Sequence, residues 1–214
     1  MIYLYSFLMY LAIFLLFIYN KLFNKNSSYT DNILLRFGLK INFNNNNKPV
    51  ILIHAVSVGE TRAIIKLVQL LEINYPNYTI VITSTTNTGL KIAKELFPNA
   101  VCMYLPFDLP HAIKKFYKII NPKIILIMET EIWPNLISYA HNLKIPLYLI
   151  NARLSDKSYN TYNKIKWFVT PLINKFNKIL SQDEKSATNF YKLGYNTESI
   201  FIVGNIKFDI TIDS

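Results

Sequence analysis

Five charged side chains follow the apolar runs of this sequence, at points where a chain leaves a strand. They are Glu60, Glu129, Glu131, Arg153 and Lys207. A carboxylate held in place can take a proton from a hydroxyl group, and a nearby cation can stabilise the charge on a departing phosphate. This set of residue types therefore predicts transfer chemistry, in which a hydroxyl is deprotonated beside an anionic leaving group.

Glu60 has the best-defined surroundings of the five. It ends a stretch that opens with the apolar run 50–53 and continues as His-Ala-Val-Ser-Val-Gly-Glu. This pattern is typical of a buried strand, a tight loop and a helix, and we predict the helix over residues 61–74. The free amides and positive dipole at the helix start should keep the carboxylate ionised, which makes Glu60 a candidate general base. On the Gly59-Glu60 pair alone, a simple stabilising charge in the first helical turn remains an open alternative.

Other common types of site find little support in the sequence. Neither G-x-G-x-x-G nor G-x-x-x-x-G-K-[ST] occurs, so the two common nucleotide-binding loops are not indicated. His54, His111 and His141 lack the spacing of metal ligands, and Ser57 does not lie in a G-x-S-x-G turn. We therefore expect neither a metal ion nor a cofactor.

Strand-like runs alternate with helix-length segments from residue 50 onward. The predicted strands are residues 50–53, 79–83, 101–104, 124–128, 147–150, 179–181 and 200–203, and the predicted helices are residues 61–74, 89–97, 110–120, 134–142, 160–177 and 183–193. This alternation predicts an α/β fold with a doubly wound parallel sheet. Ligands of such sheets bind beyond the carboxyl ends of the strands, where the five charged residues fall.

The N-terminal segment predicts a membrane anchor. Residues 1–19 carry no charged side chain and are almost wholly apolar, which is long enough for a membrane helix. A basic n-region and a clear cleavage site are missing, so an uncleaved anchor is favoured over a signal peptide, either spanning the bilayer or embedded in one leaflet. Lys21, Lys25, Arg36 and Lys40 follow it, which places the remainder in the cytoplasm.

Four segments follow from these patterns. We predict an anchor at 1–23, a linker or interfacial segment at 24–48 with a short amphipathic helix at 33–39, one α/β domain at 49–209 and the start of an interdomain linker at 210–214.

Composition narrows the class of partner. The formal net charge of +10 favours an anionic one, such as a phosphorylated substrate, an anionic lipid or nucleic acid. The lysines are scattered along helices without an RNA-binding aromatic pattern, so we do not expect nucleic acid. The single cysteine, Cys102, is typical of a reducing compartment.

Five motifs together resemble a known family. They are His-Ala-Val-Ser-Val-Gly-Glu at 54–60, Tyr-Leu-Pro-Phe-Asp-Leu-Pro at 104–110, Met-Glu-Thr-Glu-Ile-Trp-Pro-Asn at 128–135, Asn-Ala-Arg-Leu-Ser at 151–155 and Gly-Asn-Ile-Lys-Phe-Asp at 204–209. Their order and spacing resemble the N-terminal half of bacterial 3-deoxy-D-manno-octulosonic acid (Kdo) transferases, and the resemblance covers essentially the whole chain.

The resemblance implies the Rossmann-like N-terminal domain of a GT-B glycosyltransferase on the cytoplasmic face of the inner membrane. It implies metal-independent transfer of Kdo from CMP-Kdo to the lipid A precursor, with Glu60 as proton acceptor and with Glu129 and Lys207 as transition-state stabilisers. Four residues are assigned to the acceptor side on the same basis. These are Ser57, Gly59, Arg153 and Ser155. For Glu131 and Trp133, we expect a role in shaping the loop at least as much as a role in the reaction.

In GT-B enzymes a second Rossmann-like domain holds most of the donor nucleotide, whereas this sequence runs to Ser214. We therefore expect the donor-binding residues to lie elsewhere and the 214-residue chain alone to be inactive, as a fragment, half of a split gene or a relic. Two other functions stay open: a different membrane-associated GT-B transferase with a lipid-linked acceptor, and a non-catalytic membrane-tethered module.

Overall fold

A single parallel sheet of seven strands organises the part of the chain that the structure describes. The structure is a computed structural model, and it describes residues 1–23, 32–44 and 47–209. The strands are β1 Val50–His54, β2 Thr79–Ser84, β3 Val101–Tyr104, β4 Pro122–Met128, β5 Leu147–Ala152, β6 Lys178–Ser181 and β7 Ile200–Ile202. Their order is β3-β2-β1-β4-β5-β6-β7, which confirms the predicted doubly wound arrangement.

Two apolar cores cover the two faces of the sheet. Strand β1 is buried along its whole length, and its residues alternate between the cores, as a strand with helices on both sides must do. Val50 and Leu52 face one core, while Ile51 and Ile53 face the other. The continuous apolar runs of the sequence are therefore explained by burial on both faces.

Ten helices flank the sheet or precede it within the described residues. They are α1 Ile2–Phe23, α2 Ile33–Arg36, α3 Val58–Ala63, α4 Ile65–Asn74, α5 Asn87–Leu96, α6 Pro110–Ile120, α7 Pro134–Asn142, α8 Asp156–Lys164, α9 Lys166–Ile173 and α10 Glu184–Lys192. Side chains of α3 to α5 enter the core that contains Ile51, and those of α6, α7, α9 and α10 enter the core that contains Val50. The predicted helices at 110–120 and 134–142 have the observed bounds.

Two predicted helices are wrong in their extent. The helix predicted over 61–74 is two helices, α3 and α4, which meet at Ile64. The helix predicted over 160–177 is also two helices, α8 and α9, which meet at Ile165. Helices α3 and α8 begin earlier than predicted because a serine caps the first turn of each. Ser57 caps α3, and Ser155 caps α8.

The N-terminal segment contains the predicted long apolar helix, α1, and its first 18 residues are long and apolar enough to cross a membrane. The amphipathic helix predicted at 33–39 is shorter than expected and spans only α2. Residues 24–31 and 45–46 of the predicted linker, and the predicted linker start at 210–214, lie outside the described residues.

Candidate functional site

The site lies at the carboxyl edge of the sheet, where its chain order reverses. Strands β1 and β4 are neighbours, but the chain continues from β1 to one side and from β4 to the other. A crevice forms at such a reversal because the two connections diverge. Glu60 follows β1 and Glu129 follows β4, so the fold brings these two carboxylates to the same crevice.

A local hydrogen-bond network fixes the orientation of Glu60. The backbone amide of Val56 donates to Oε2 at 2.8 Å, and the Ser57 hydroxyl donates to Oε1 at 2.9 Å. Ser57 Oγ in turn accepts from the Glu60 amide at 3.3 Å, as the N-cap of α3. This reciprocal arrangement is a variant of the capping box, and it holds the carboxylate at the helix start.

Burial affects the protonation of Glu60. Its pKa is raised because the side chain is buried, with only 6% of the residue exposed. That the helix start keeps this group ionised stays a prediction. The hydrogen bonds from Val56 and Ser57 lower the pKa, but by less than burial raises it. Glu60 therefore has a stronger affinity for a proton than an ordinary glutamate.

Glu129 is joined to Lys207 across the crevice. Lys207 Nζ donates to Glu129 Oε1 at 2.9 Å, and both side chains are partly exposed, at 42% for Lys207 and 29% for Glu129. Glu129 adopts a left-handed backbone conformation with φ of 54°, which few residues other than glycine adopt. Unusual backbone conformations of this kind cluster at functional sites.

Lys207 comes from the far end of the sheet, beyond β7. Its position depends on Asn151, at the end of β5, whose Oδ1 accepts a hydrogen bond from the backbone amide of Ile206 at 3.2 Å. Asn205 Oδ1 accepts from the Lys207 amide at 3.0 Å. Asn151 was not among the predicted site residues, although it opens the Asn-Ala-Arg-Leu-Ser motif and its own φ is 50°.

Glu60 lies within electrostatic reach of the Glu129–Lys207 pair. The charge of Glu129 raises the pKa of Glu60, and the charge of Lys207 lowers it. The three side chains named by the sequence analysis as one group are therefore close together, rather than on opposite sides of the domain.

Glu131 belongs to the same acidic cluster. Burial, followed by the charges of Glu60 and Glu129, raises its pKa to about 7. Trp133, which follows in the same loop, packs edge-on against the buried ring of His54, with 6.2 Å between ring centroids. Glu131 thus contributes to the electrostatics of the crevice, while Trp133 packs against the strand below it.

The four residues assigned tentatively to the acceptor side have different surroundings. Ser57 and Ser155 both serve as helix N-caps, which accounts for them structurally. Arg153 is exposed beyond β5. Gly59 is exposed in α3, and a Cβ atom placed there would meet only Ser57 Oγ, at 3.9 Å. The fold itself therefore does not require glycine at position 59.

Within residues 1–23, 32–44 and 47–209, no group of three or more His, Cys, Asp and Glu side chains is arranged to hold a metal ion. In the acidic cluster, Glu129 is paired with Lys207, and Glu60 accepts a hydrogen bond from the backbone amide of Val56.

Solved structures share the fold of this chain at low sequence identity. A putative UDP-N-acetylglucosamine 2-epimerase from Listeria monocytogenes matches with a TM-score of 0.58 and 17% identity, covering 78% of this chain and 48% of that one. The UDP-GlcNAc 2-epimerase from Neisseria meningitidis matches with a TM-score of 0.54 and 16% identity, over 73% of this chain and 46% of that one. These matches show the Rossmann-like architecture.

Relatives at higher sequence identity share one name. The chain is 38% identical over 187 residues to the 3-deoxy-D-manno-octulosonic acid transferase of Haemophilus influenzae, covering 87% of this chain and 44% of that protein. It is 36% identical over 162 residues to the transferase of the same name from Rickettsia felis, covering 75% of this chain and 34% of that protein. The chain thus spans less than half the length of these relatives. A family model described as 3-deoxy-D-manno-octulosonic-acid transferase (kdotransferase) matches residues 31–210, and the chain therefore belongs to the Kdo transferase family.

Proposed function

We propose that this chain is the acceptor-side half of a glycosyltransferase that moves Kdo from CMP-Kdo to the lipid A precursor, on the cytoplasmic face of the inner membrane. The observation that carries the proposal is the placement of Glu60. Its buried carboxylate is held by Val56 and Ser57 beside the Glu129–Lys207 ion pair. The names of the Kdo transferase relatives supply the substrate class.

Glu60 is the proposed general base. It takes the proton of the acceptor hydroxyl as the oxygen attacks the anomeric carbon of Kdo, and the bond from that carbon to the CMP phosphate breaks with its electron pair on the phosphate. A base works best when its pKa lies near the working pH, so the raised pKa of Glu60 suits this task. The hydrogen bonds from Val56 and Ser57 keep the oxygens oriented without removing their affinity for the proton.

Glu129 and Lys207 are the proposed transition-state stabilisers. As the bond to the leaving group breaks, positive charge develops on the sugar and negative charge on the phosphate, and the ion pair offers one charge of each sign. Both groups are partly exposed toward the crevice, so a substrate can reach them without opening the core. The left-handed backbone at Glu129 and the hydrogen bond that the Ile206 amide donates to Asn151 Oδ1 help to position the pair.

The chemistry of the proposed acceptor matches the charge of the chain. A phosphorylated glycolipid in an anionic membrane is attracted by a protein of net charge +10. Gly59 supports an approach to Glu60 from the solvent side, because the space where its side chain would stand is open.

Reconstitution tests the proposed function directly. The chain is mixed with a purified C-terminal half of the Haemophilus influenzae relative, and transfer of radiolabelled Kdo from CMP-Kdo to lipid IV(A) is measured in detergent micelles. We expect product from the mixture and none from either half alone. Absence of product from a mixture in which the two halves bind each other and the C-terminal half binds CMP-Kdo would overturn the proposal, and product from the chain alone would overturn its description as a half.

A further inference from the structure

The apolar helix α1 is attached to the α/β domain by buried polar contacts. Ser6, which is 5% exposed, hydrogen-bonds the side chain of Asn135 at 3.2 to 3.3 Å. The Tyr5 hydroxyl lies near the fully buried carboxylate of Asp108, and burial of the hydroxyl, followed by the charge of Asp108, raises the pKa of Tyr5. We call these four residues, Tyr5, Ser6, Asp108 and Asn135, the polar clasp.

The clasp is fixed firmly on the domain side. The two carboxylate oxygens of Asp108 accept hydrogen bonds from the backbone amides of Asn135 and Leu136 at 2.9 and 2.8 Å, and thereby cap the first turn of α7. Asn135 Nδ2 also donates to the carbonyl oxygen of Asp108. Separating α1 from the domain would remove hydrogen-bond partners from this network. Buried polar groups without a partner reduce the free energy of unfolding.

Further contacts continue along α1 away from the clasp. The Tyr10 hydroxyl lies 2.5 Å from Nδ1 of His111, and Ile13 is buried against Leu109 and Ala112 of the domain. Contacts thus run from position 5 to position 13, about 12 Å along a helix whose 22 residues measure about 33 Å.

A spanning orientation does not fit these contacts. Crossing a bilayer takes about 20 residues surrounded by lipid or by other membrane helices. Only about 10 residues of α1 lie beyond Ile13, which is about half of that length. A helix that spanned while docked would draw Asp108 and Asn135 into the hydrocarbon, where polar groups are expensive.

The opposite side of α1 is suited to lipid. In the apolar segment Ile2–Tyr19, only 11% of residues are buried against the protein. Large apolar side chains with at least 50% exposure lie along it, namely Tyr3, Leu4, Phe7, Leu8, Phe14, Leu15 and Tyr19. Beside it, α9 presents Trp167 with 59% exposure, and the next residue, Phe168, packs on Tyr5 with 6.2 Å between ring centroids. Tryptophan is favoured where a protein meets the membrane interface.

Positive charge lies next to this apolar surface. His111, which contacts Tyr10, begins a turn of α6 that continues with the exposed residues Lys114 and Lys115. Cations next to an apolar surface attract the anionic headgroups of a bilayer leaflet.

We propose that α1 is monotopic: it lies along the domain through the polar clasp and enters only the leaflet that faces the domain. The occupant of its exposed apolar side is the acyl region of that one anionic leaflet. The N-terminus and the α/β domain then lie on the same side of the membrane. This inference does not depend on the proposed transferase activity.

Side-specific labelling tests the topology. In a full-length Cys102→Ser background, one cysteine is added ahead of Met1 through a hydrophilic extension, and a control variant carries it after Ser214. A membrane-impermeant maleimide is applied to spheroplasts and to inside-out vesicles. We expect both cysteines to react in inside-out vesicles only. Reaction of the N-terminal cysteine in spheroplasts, or its protection in inside-out vesicles while the C-terminal one reacts, would show a spanning helix and overturn the proposal.

Cross-linking in native membranes tests the docking separately. Ser6→Cys is combined with Asn135→Cys and treated with a short bis-maleimide, and Leu8→Cys with Asn135→Cys is the matched control, because Leu8 is 52% exposed and lies nearly opposite Ser6 on α1. We expect a cross-link for the first pair and not for the second. Equal yields for the two pairs would mean that α1 is not docked through the clasp in the membrane.

Discussion

Two buried carboxylates of this chain, Glu60 and Asp108, have much in common. Each accepts hydrogen bonds from backbone amides at the start of a helix, Glu60 at α3 and Asp108 at α7. In each case burial is the largest effect and raises the pKa, to about 6 for Asp108. Judged by burial and pKa alone, the two would be equal candidates for catalysis.

Their neighbours separate them. Asp108 is fully buried, and its oxygens accept hydrogen bonds from the backbone amides of Asn135 and Leu136. Glu60 lies at the open edge of the sheet and senses the charges of Glu129 and Lys207, which are themselves partly exposed. A raised pKa therefore marks a functional acid only where a substrate can reach it and other charges face the same space.

The largest expected effect is that of Glu60→Gln on transfer. Glutamine keeps the shape and can still accept from the Val56 amide, but it cannot take a proton. We expect transfer in the reconstituted enzyme to fall by about 10²- to 10⁴-fold, with thermal stability unchanged. The exposed Glu95→Gln is the matched control and should leave transfer intact. A loss of only a few-fold for Glu60→Gln would remove the proposed base.

Asp108→Ala should act on stability instead. It leaves the amides of Asn135 and Leu136 without an acceptor, and we expect a loss of about 3 kcal/mol in the free energy of unfolding. Denaturant unfolding in detergent measures it. The control is Asp183→Ala, which removes an exposed N-cap of α10 and should cost about 1 kcal/mol. Equal losses for the two would contradict a special role for the buried network.

Gly59→Ala separates access from stability. The added methyl group has room in the fold, and alanine is the better helix former. We therefore expect the midpoint temperature of unfolding to rise slightly. If the acceptor approaches Glu60 across this residue, transfer should fall by about tenfold, or about 1.4 kcal/mol. Gly89→Ala is the contrast, because its Cβ would lie 2.4 Å from Ser84 Oγ and should destabilise the fold. Unchanged transfer for Gly59→Ala would exclude that direction of approach.

Glu131→Gln should have the smallest effect, on the pH dependence of stability. The unfolded carboxyl loses its proton near 4.5 and the folded one near 7, so the folded state binds the proton more tightly between these values. Stability contributed by this group therefore falls as pH rises from 4.5 to 7. We expect the variant to unfold about 2–4 °C above the parent at pH 8 and no higher than the parent at pH 4, in thermal scans. The same difference at both pH values would contradict the assignment.

The edge of the sheet could be predicted because each of its residues follows a strand. Continuous apolar runs identify buried strands, and parallel strands end at one edge, which places Glu60 and Glu129 without knowledge of the fold family. Lys207 also follows a predicted strand, which places it at the same edge. Its ion pair with Glu129 joins residues 78 positions apart, and no local pattern in the sequence predicts that contact.

Contacts between distant segments explain what the sequence did not predict. The bond between Ser6 and Asn135 spans 129 positions, so no local pattern marks it. Hydrophobic periodicity also continued through Ile64, where α3 ends and α4 begins, because apolar residues lie on both sides of that break. The raised pKa of Glu60 has the same origin, because burial depends on the assembled sheet, whereas the helix start is local.

A carbon-detected NMR titration of Glu60 in the 214-residue chain tests the central claim, that this carboxylate shares one crevice with Glu129 and Lys207. We predict a pKa above the ordinary value of 4.5, lower in Glu129→Gln than in the parent chain and higher in Lys207→Met. A value at or below 4.5, or one that neither substitution moves, would contradict the shared site.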